Sequence, residues 1–154
     1  MSPELEKKLL EKYPELYDYK SEDGKSSDIS VYGFSHGDGW FNIIDCLSAT
    51  IADIMKSHRS RNHLTQQEFE ETVQVRVAQV KEKFGTLRFY YEPSSEDLRS
   101  QLDALVKEAE ALSAITCEQT GQPGRLMRRG YVYKTLCDYY LDLGWEPALG
   151  EEKQ

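Results

Sequence analysis

Hydrophobic residues recur at helical spacing in three long stretches of the chain. Ser2 and Pro3 form a typical helix start, and Pro14 should break or restart the first helix near Tyr13. Asp38 stands where it can cap the second helix. The apolar stripe of the second helix consists of Trp40, Ile44, Leu47, Ile51 and Ile54. This stripe predicts the central helix of the core.

The third helical pattern comes later in the chain, after a polar connection from Lys56 to His63 and a short helical turn capped by Thr65. Its start at Ser94 and Asp97 is similar to a capping box. Its inner face consists of Leu98, Leu102, Leu105, Ala109 and Leu112. We expect this face to pack on the core beside the central helix, with a strongly acidic face turned outward.

Alternating apolar residues predict a hairpin in the middle of the chain. The first strand alternates from Val73 to Val77, and Val80 breaks the alternation, which indicates a bulge at residue 78 or 79. A tight turn over Lys81 to Gly85 then leads into a second strand from Thr86 to Tyr91. This is the strongest strand signal in the sequence.

Two weaker strand signals flank the hairpin. One runs from Ile29 to Phe34, after a polar loop from Lys20 to Asp28 that should be flexible, and the other from Tyr131 to Tyr133, before a helical piece from Thr135 to Leu143. Together the patterns predict an α+β fold, with a small antiparallel sheet of three or four strands and two main helices packed on one face. Residues 1–144 should form a single domain, and residues 145–154 a flexible tail unless Trp145 docks.

Composition fits one small domain. The chain has 154 residues, of which 39% are hydrophobic, which is enough for one core and too few for two ordinary domains. No apolar stretch is long enough to cross a bilayer, and the first residues lack the order of a secretion signal. The odd set of Cys46, Cys117 and Cys137 favours free thiols in a reducing compartment. We therefore expect a cytoplasmic protein with no membrane partner.

Charge is unevenly distributed. The net charge of −8 disfavours nonspecific binding to nucleic acid. An acidic face on the third helix is formed by Glu96, Asp103, Glu108 and Glu110. A basic segment follows, and its cations are Arg125, Arg128, Arg129 and Lys134, interleaved with tyrosines. This segment could bind an anionic partner or pair with the protein's own acidic helix, and the sequence leaves both open.

Two further places could bind a ligand. Trp40, beside a Gly-Asp-Gly turn at a helix start, would suit a base and a phosphate, although a capped helix with a buried tryptophan is the simpler interpretation. Lys81, Lys83 and Arg88 surround the hairpin turn and would suit an anion or an acidic partner, although solvated charges are common on hairpins. The histidines show no spacing that implies a catalytic partner, so we predict a protein that is not an enzyme.

Three blocks of sequence occur along the chain in the order His36-Gly-Asp-Gly-Trp40, the stretch from Val80 to Tyr90, and Thr116-Cys-Glu with Thr135-Leu-Cys-Asp138. Together they resemble a family of small uncharacterised bacterial and phage proteins. The resemblance covers roughly residues 29 to 140. It implies a zinc knuckle in the last block, but it implies no activity.

The knuckle pattern is incomplete in this chain. Cys117 and Cys137 match two of the implied ligands, whereas Thr120 stands in place of a cysteine and residues 139–141 lack the expected histidine. His36 is a weak candidate for a third ligand. Because two thiolates alone hold zinc poorly, we predict no bound metal and no cofactor.

The leading hypothesis is a non-catalytic accessory protein that acts by binding a host or bacterial protein. A phage-encoded inhibitor of a host or defence protein, working in the host cytoplasm, would fit the resemblance. The alternative is a protein that binds or sequesters a nucleotide or another anion.

Overall fold

The computed structural model describes residues 1–17, residue 29 and residues 32–148. The predicted loop from Lys20 to Asp28 and the last six residues lie outside these ranges. The fold is α+β, as the sequence predicts. Within the described ranges, none of the helices combines the length and apolarity that a membrane span needs.

Helices and strands alternate irregularly along the chain. The helices are α1 (Pro3–Lys12), α2 (Pro14–Tyr17), α3 (Phe41–Asn62), α4 (Gln66–Thr72) and α5 (Glu96–Ser113). The strands are β1 (Phe34–Ser35), β2 (Val75–Lys83), β3 (Thr86–Pro93), β4 (Arg125–Arg129), β5 (Val132–Leu136) and β6 (Glu146–Pro147). They form two three-stranded sheets in the described part of the chain, with the orders β1-β2-β3 and β5-β4-β6.

The strand predicted from Ile29 to Phe34 is largely wrong. Ile29 and Tyr32 are helical, and the N–H of Gly33 donates to the carbonyl oxygen of Ile29. Gly33 then adopts a positive φ of 65°, which ends the helical turn and is accessible to glycine without strain. Among the described residues of this stretch, Phe34 and Ser35 are extended, and they pair with β2 in parallel, so the first sheet is mixed rather than purely antiparallel.

Helix α3 is longer than predicted, and its start differs. Asp38 does not cap it: a 3₁₀ turn over Asp38–Trp40 precedes the helix, and the Asp38 carboxylate accepts the backbone N–H of Ser2 over 2.6 Å. The helix also continues through the expected connection after Lys56, because its last two turns are exposed and can remain polar. Four residues of the predicted stripe, Trp40, Ile44, Leu47 and Ile51, are buried, whereas Ile54 is only partly buried and the neighbouring Met55 is buried.

The hairpin follows the prediction except at its start, because Val73 ends helix α4 and β2 begins at Val75. A register shift between Val77 and Gln79 is the predicted bulge, and Leu87 and Phe89 are buried on one face. The turn itself is shorter than expected and consists of Phe84 and Gly85. Both have positive φ, 51° and 82°, as a two-residue type I′ turn requires.

Helix α5 covers the outer edge of β3. Its cap is Ser95 rather than Ser94, and the Ser95 hydroxyl accepts the N–H of Leu98. Near its end, Ser113 accepts the N–H of Leu87 over 2.8 Å, which satisfies a donor on the free edge of the sheet. On the predicted inner face, Leu112 is 45% exposed and Leu105 is only partly buried, because Val106 takes a core position instead.

The second sheet has its own small core of Cys117, Met127, Leu136 and Trp145. Trp145 docks, and the following strand β6 pairs with β4, so the ordered structure extends past the predicted boundary at residue 144 at least to Ala148. The helical piece predicted from Thr135 is a 3₁₀ segment, Asp138–Leu143, because Thr135 and Leu136 belong to β5.

Candidate functional site

The three sequence blocks converge where the two sheets meet. Gly39 packs so tightly against the loop after Cys117 that a Cβ would collide with the Cys117 carbonyl oxygen. On the hairpin side, the hydroxyl of Thr135 donates to the carbonyl oxygen of Gly85 over 2.6 Å. Residues far apart in the chain are therefore held in one cluster, and a polar pocket of about 460 Å³ opens beside it.

The polar pocket is lined by side chains of both signs. They belong to Ser35, His36, Asp38, Glu118, Gln119 and Lys134. Glu118 is almost fully buried, and its carboxylate accepts two bonds from the Lys134 ammonium, of 2.7 and 2.8 Å, and one from the N–H of Gly37. Lys134 is also 3.9 Å from Glu82 of the hairpin. This ion pair ties all three blocks together.

His36 is a buried titratable residue of the polar pocket. Its Nδ1 bonds to the carbonyl oxygen of Gly37 over 2.7 Å, and because that oxygen can only accept, Nδ1 carries the proton. Burial lowers the pKa of His36 to about 4, so the ring is neutral at pH 7. The buried Nε2 has no partner among the described residues and presents a free lone pair.

The loop after Cys117 places the hydroxyl of Thr120 beside two thiols. The Thr120 hydroxyl is 3.6 Å from the sulfur of Cys137 and also lies beside the sulfur of Cys117. Burial raises the pKa of Cys117, but bonds from Thr120 and from the N–H groups of Cys137, Thr120 and Gln119 outweigh it, so the pKa is lowered. Tyr140 packs against the same small core as both thiols, and burial and the two cysteines raise its pKa.

The weak metal candidates do not form a donor set. His36 belongs to the polar pocket, and its partners are Gly37 and the rings of Phe34 and Trp40 rather than the thiols. Across residues 1–17, 29 and 32–148, no three His, Cys, Asp or Glu side chains are grouped so as to hold a metal ion. The donor chemistry of the knuckle, two thiols and a hydroxyl, fits zinc poorly.

Trp40 cannot be an open ligand platform. Its side chain is fully buried, and its Nε1–H donates to the carbonyl oxygen of Thr116 over 2.9 Å. The bond joins the start of α3 to residues 116–121, which we call the knuckle loop. The sequence left open whether Trp40 is a ligand platform or a buried core residue, and the structure shows a buried core residue.

The cations of the basic segment are occupied by other groups of the second sheet. Arg125 pairs with Asp138 at 2.9 Å, and Arg128 with Glu146 at 2.8 Å. The guanidinium of Arg129 lies 4.8 Å from the centre of the Trp145 ring. These contacts are with neighbouring residues and not with the acidic helix, and they leave the segment a poor anion site.

The hairpin cations have different surroundings. Lys81 and Arg88 face each other across β2 and β3, and Lys83 is opposite Thr86. The ammonium of Lys81 is 5.7 Å from the Tyr90 ring, and that of Lys83 is 5.6 Å from the Phe84 ring. Among the described residues, none of these three cations has a carboxylate within 4.0 Å.

Three residues of the acidic face have partners within the described part of the chain, and Glu108 has none there. Asp103 accepts from the Tyr91 hydroxyl over 2.5 Å, Glu110 accepts the N–H of Phe89 over 3.4 Å, and Glu96 pairs with Arg99. Glu108 instead lines a groove between α3 and α5. Three of the four predicted partner residues therefore also have contacts within the fold.

The groove between α3 and α5 has a volume of about 400 Å³ and is mainly apolar. Its apolar lining includes Ile43, Leu47, Leu105, Ala109 and Leu112. Cys46 and Thr50 also line it, and a second cavity continues along the same helix pair from Thr50 past Asp53 to Arg61. Sequence reasoning missed this groove, because it assigned Leu105 and Leu112 to the core.

Comparison with known proteins gives no assignment: no family model, no curated protein and no solved structure matches the chain.

Proposed function

We propose that the chain works by binding another protein, and that the binding site is the groove between α3 and α5. The proposal depends on one observation: Leu112 lies on the apolar face of α5, yet 45% of it is exposed in the groove. An open apolar groove between two helices is a common receptor for an amphipathic helix.

The partner segment is a helix with a basic polar face. Glu108 is the charged residue that lines the groove, and the net charge of −8 attracts a basic partner at long range. Along α3, the two cavities extend from Ile43 to Ser57, which is a length of about 21 Å. A partner helix of about four turns has the same length. Inhibition of a host or defence protein by such binding is the role that the sequence resemblance favours.

The anion-binding alternative loses part of its support. Trp40 is buried, and Arg125 and Arg128 already have carboxylate partners. The cations that still support anion binding are Lys81, Lys83 and Arg88 of the hairpin.

A synthetic helical peptide tests the groove. The probe is a fluorescein-labelled peptide with leucine at helical spacing and lysine on its other face, and binding is measured by fluorescence anisotropy. We expect Leu112→Asp to weaken binding by about tenfold or more, as the loss of a buried leucine implies. Leu143→Asp is the matched control, since Leu143 is 48% exposed and outside the groove.

The exposed thiol of Cys46 gives a second measurement in the same groove. Bound peptide should slow alkylation of Cys46, followed site by site by mass spectrometry, and leave Cys137 unaffected. A peptide with the same composition in scrambled order should protect neither. Equal loss of binding in the two leucine variants, or binding without protection of Cys46, would overturn the proposal.

A further inference from the structure

The sheet formed by β1, β2 and β3 has one face on the core and one face turned outward. Val80 and Phe89 are buried on the inner face. In the next register positions, Ser35 of β1 is paired with Lys81, and Lys81 with Arg88. These three side chains therefore form a row across the outer face, independent of the α3–α5 groove.

Like charges directly opposite each other in a β ladder repel, so the pair of Lys81 and Arg88 is unfavourable for folding alone. The chain has 27 acidic residues and could have supplied a counter-charge, as it does for Arg125 and Arg128. An anionic ligand between the two cations would remove the repulsion.

Both cations are held in place before any ligand arrives. One guanidinium nitrogen of Arg88 donates to the Thr86 hydroxyl over 2.7 Å and to the carbonyl oxygen of Leu87 over 2.9 Å, which leaves its other nitrogens available. Lys81 rests near the ring of Tyr90. Restrained side chains lose less conformational freedom when they bind.

We propose that Lys81 and Arg88 bind the phosphate groups of a nucleotide on this outer face. Arginine offers a planar fork of donors that matches a phosphate, and lysine adds a point charge. The exposed hydroxyl of Ser35 adds a donor at the end of the row, and Tyr90, which is 44% exposed, offers an aromatic surface to the base. A small ligand is favoured over a nucleic-acid strand because a net charge of −8 repels a polyanion more strongly.

The test uses mant-ATP as the probe and follows its fluorescence anisotropy with the full chain. We expect Lys81→Glu combined with Arg88→Glu to abolish binding. The matched control combines Lys7→Glu with Arg125→Glu, which changes the net charge equally at two exposed cations that already have acidic partners. Circular dichroism verifies that both double variants are folded. Equal binding by the two double variants would overturn the proposal.

Competition separates the possible sources of the phosphate. Unlabelled ATP should displace mant-ATP at least about tenfold better than inorganic triphosphate does, and Tyr90→Leu should reduce that difference. Triphosphate that competes as well as ATP would overturn the assignment to a nucleotide. A single-stranded oligonucleotide that competes better than ATP would overturn it in favour of a nucleic-acid surface.

Discussion

The hydroxyl of Thr120 donates to the sulfur of Cys137 over 3.6 Å and also lies beside the sulfur of Cys117. A single oxygen therefore connects two thiols that a metal ion would connect in a complete knuckle. The loop is closed by a turn in which the N–H of Gly121 donates to the carbonyl oxygen of Cys117, and Cys117 packs in the second small core.

Restoring the two missing ligands should restore metal binding. We expect Thr120→Cys combined with Tyr140→His to bind one Zn²⁺ per chain, because both positions adjoin the thiols. Co²⁺ substitution, followed by its visible absorption, measures this. The same pair of changes with Cys117→Ser should bind at least about tenfold more weakly.

The natural chain should hold no stoichiometric zinc, since it lacks those ligands. Elemental analysis after dialysis checks this directly. One zinc per chain, lost together with Cys117→Ser, would contradict the expectation and make the knuckle a metal-dependent folding element.

Trp40 should contribute to stability more than to binding. Truncation of Trp40 to Ala should lower the free energy of unfolding by about 3–5 kcal/mol, because it leaves a cavity and an unpaired Thr116 carbonyl oxygen. Urea denaturation measures this. Trp40→Phe should lose less, since it keeps much of the volume. An Ala variant of unchanged stability that no longer binds mant-ATP or the peptide would show the opposite role.

Acid should destabilise the fold through His36 before the carboxylates protonate. Its pKa is about 4 when folded and about 6.5 when unfolded, so the unfolded chain binds more protons between these values. The neutral His36 ring contributes fully to the free energy of unfolding above pH 6.5. This contribution, roughly 3 kcal/mol at most, is lost as the pH falls towards 4. His36→Phe removes the titrating group, so its unfolding free energy should change less between pH 7 and pH 4.5. Parallel curves for the two proteins would contradict this cause.

Glu108 and Glu110 should behave differently when each is reversed. Glu110→Lys removes the acceptor for the N–H of Phe89 and should lower the free energy of unfolding by about 1 kcal/mol. Glu108 has no hydrogen bond among the described residues, so Glu108→Lys should change the free energy of unfolding by less than about 0.5 kcal/mol. Glu108→Lys should instead slow capture of the basic peptide, and added salt should reduce the difference from the natural chain. Equal destabilisation by both would contradict the division.

The hairpin could be predicted from sequence because its signals are local. The bulge beside Ala78, the alternation from Thr86 and the glycine of the turn each depend on neighbouring residues. The strand after Ile29 could not be predicted correctly, because β1 exists only through its parallel partner Val80, more than forty residues away.

The candidate surfaces show the same distinction. The basic stretch from Arg125 to Lys134 was identified from composition, but Asp138 and Glu146 reach it through sheet pairing and loop geometry, which sequence spacing does not reveal. The groove was missed for a related reason. The spacing of apolar residues predicts that Leu98 and Leu112 lie on the same face of the helix. It does not predict that the rest of the protein buries Leu98 and leaves Leu112 exposed.

The bond between Trp40 and Thr116 has a consequence for how the protein is made. It joins residues 76 positions apart, and the N–H of Gly39 binds the carbonyl oxygen of Glu118 over a similar span. During synthesis, the start of α3 therefore leaves the ribosome well before the loop that secures it exists. The hairpin can form early from local contacts, whereas closure of α3 onto the knuckle loop must wait for the last quarter of the chain.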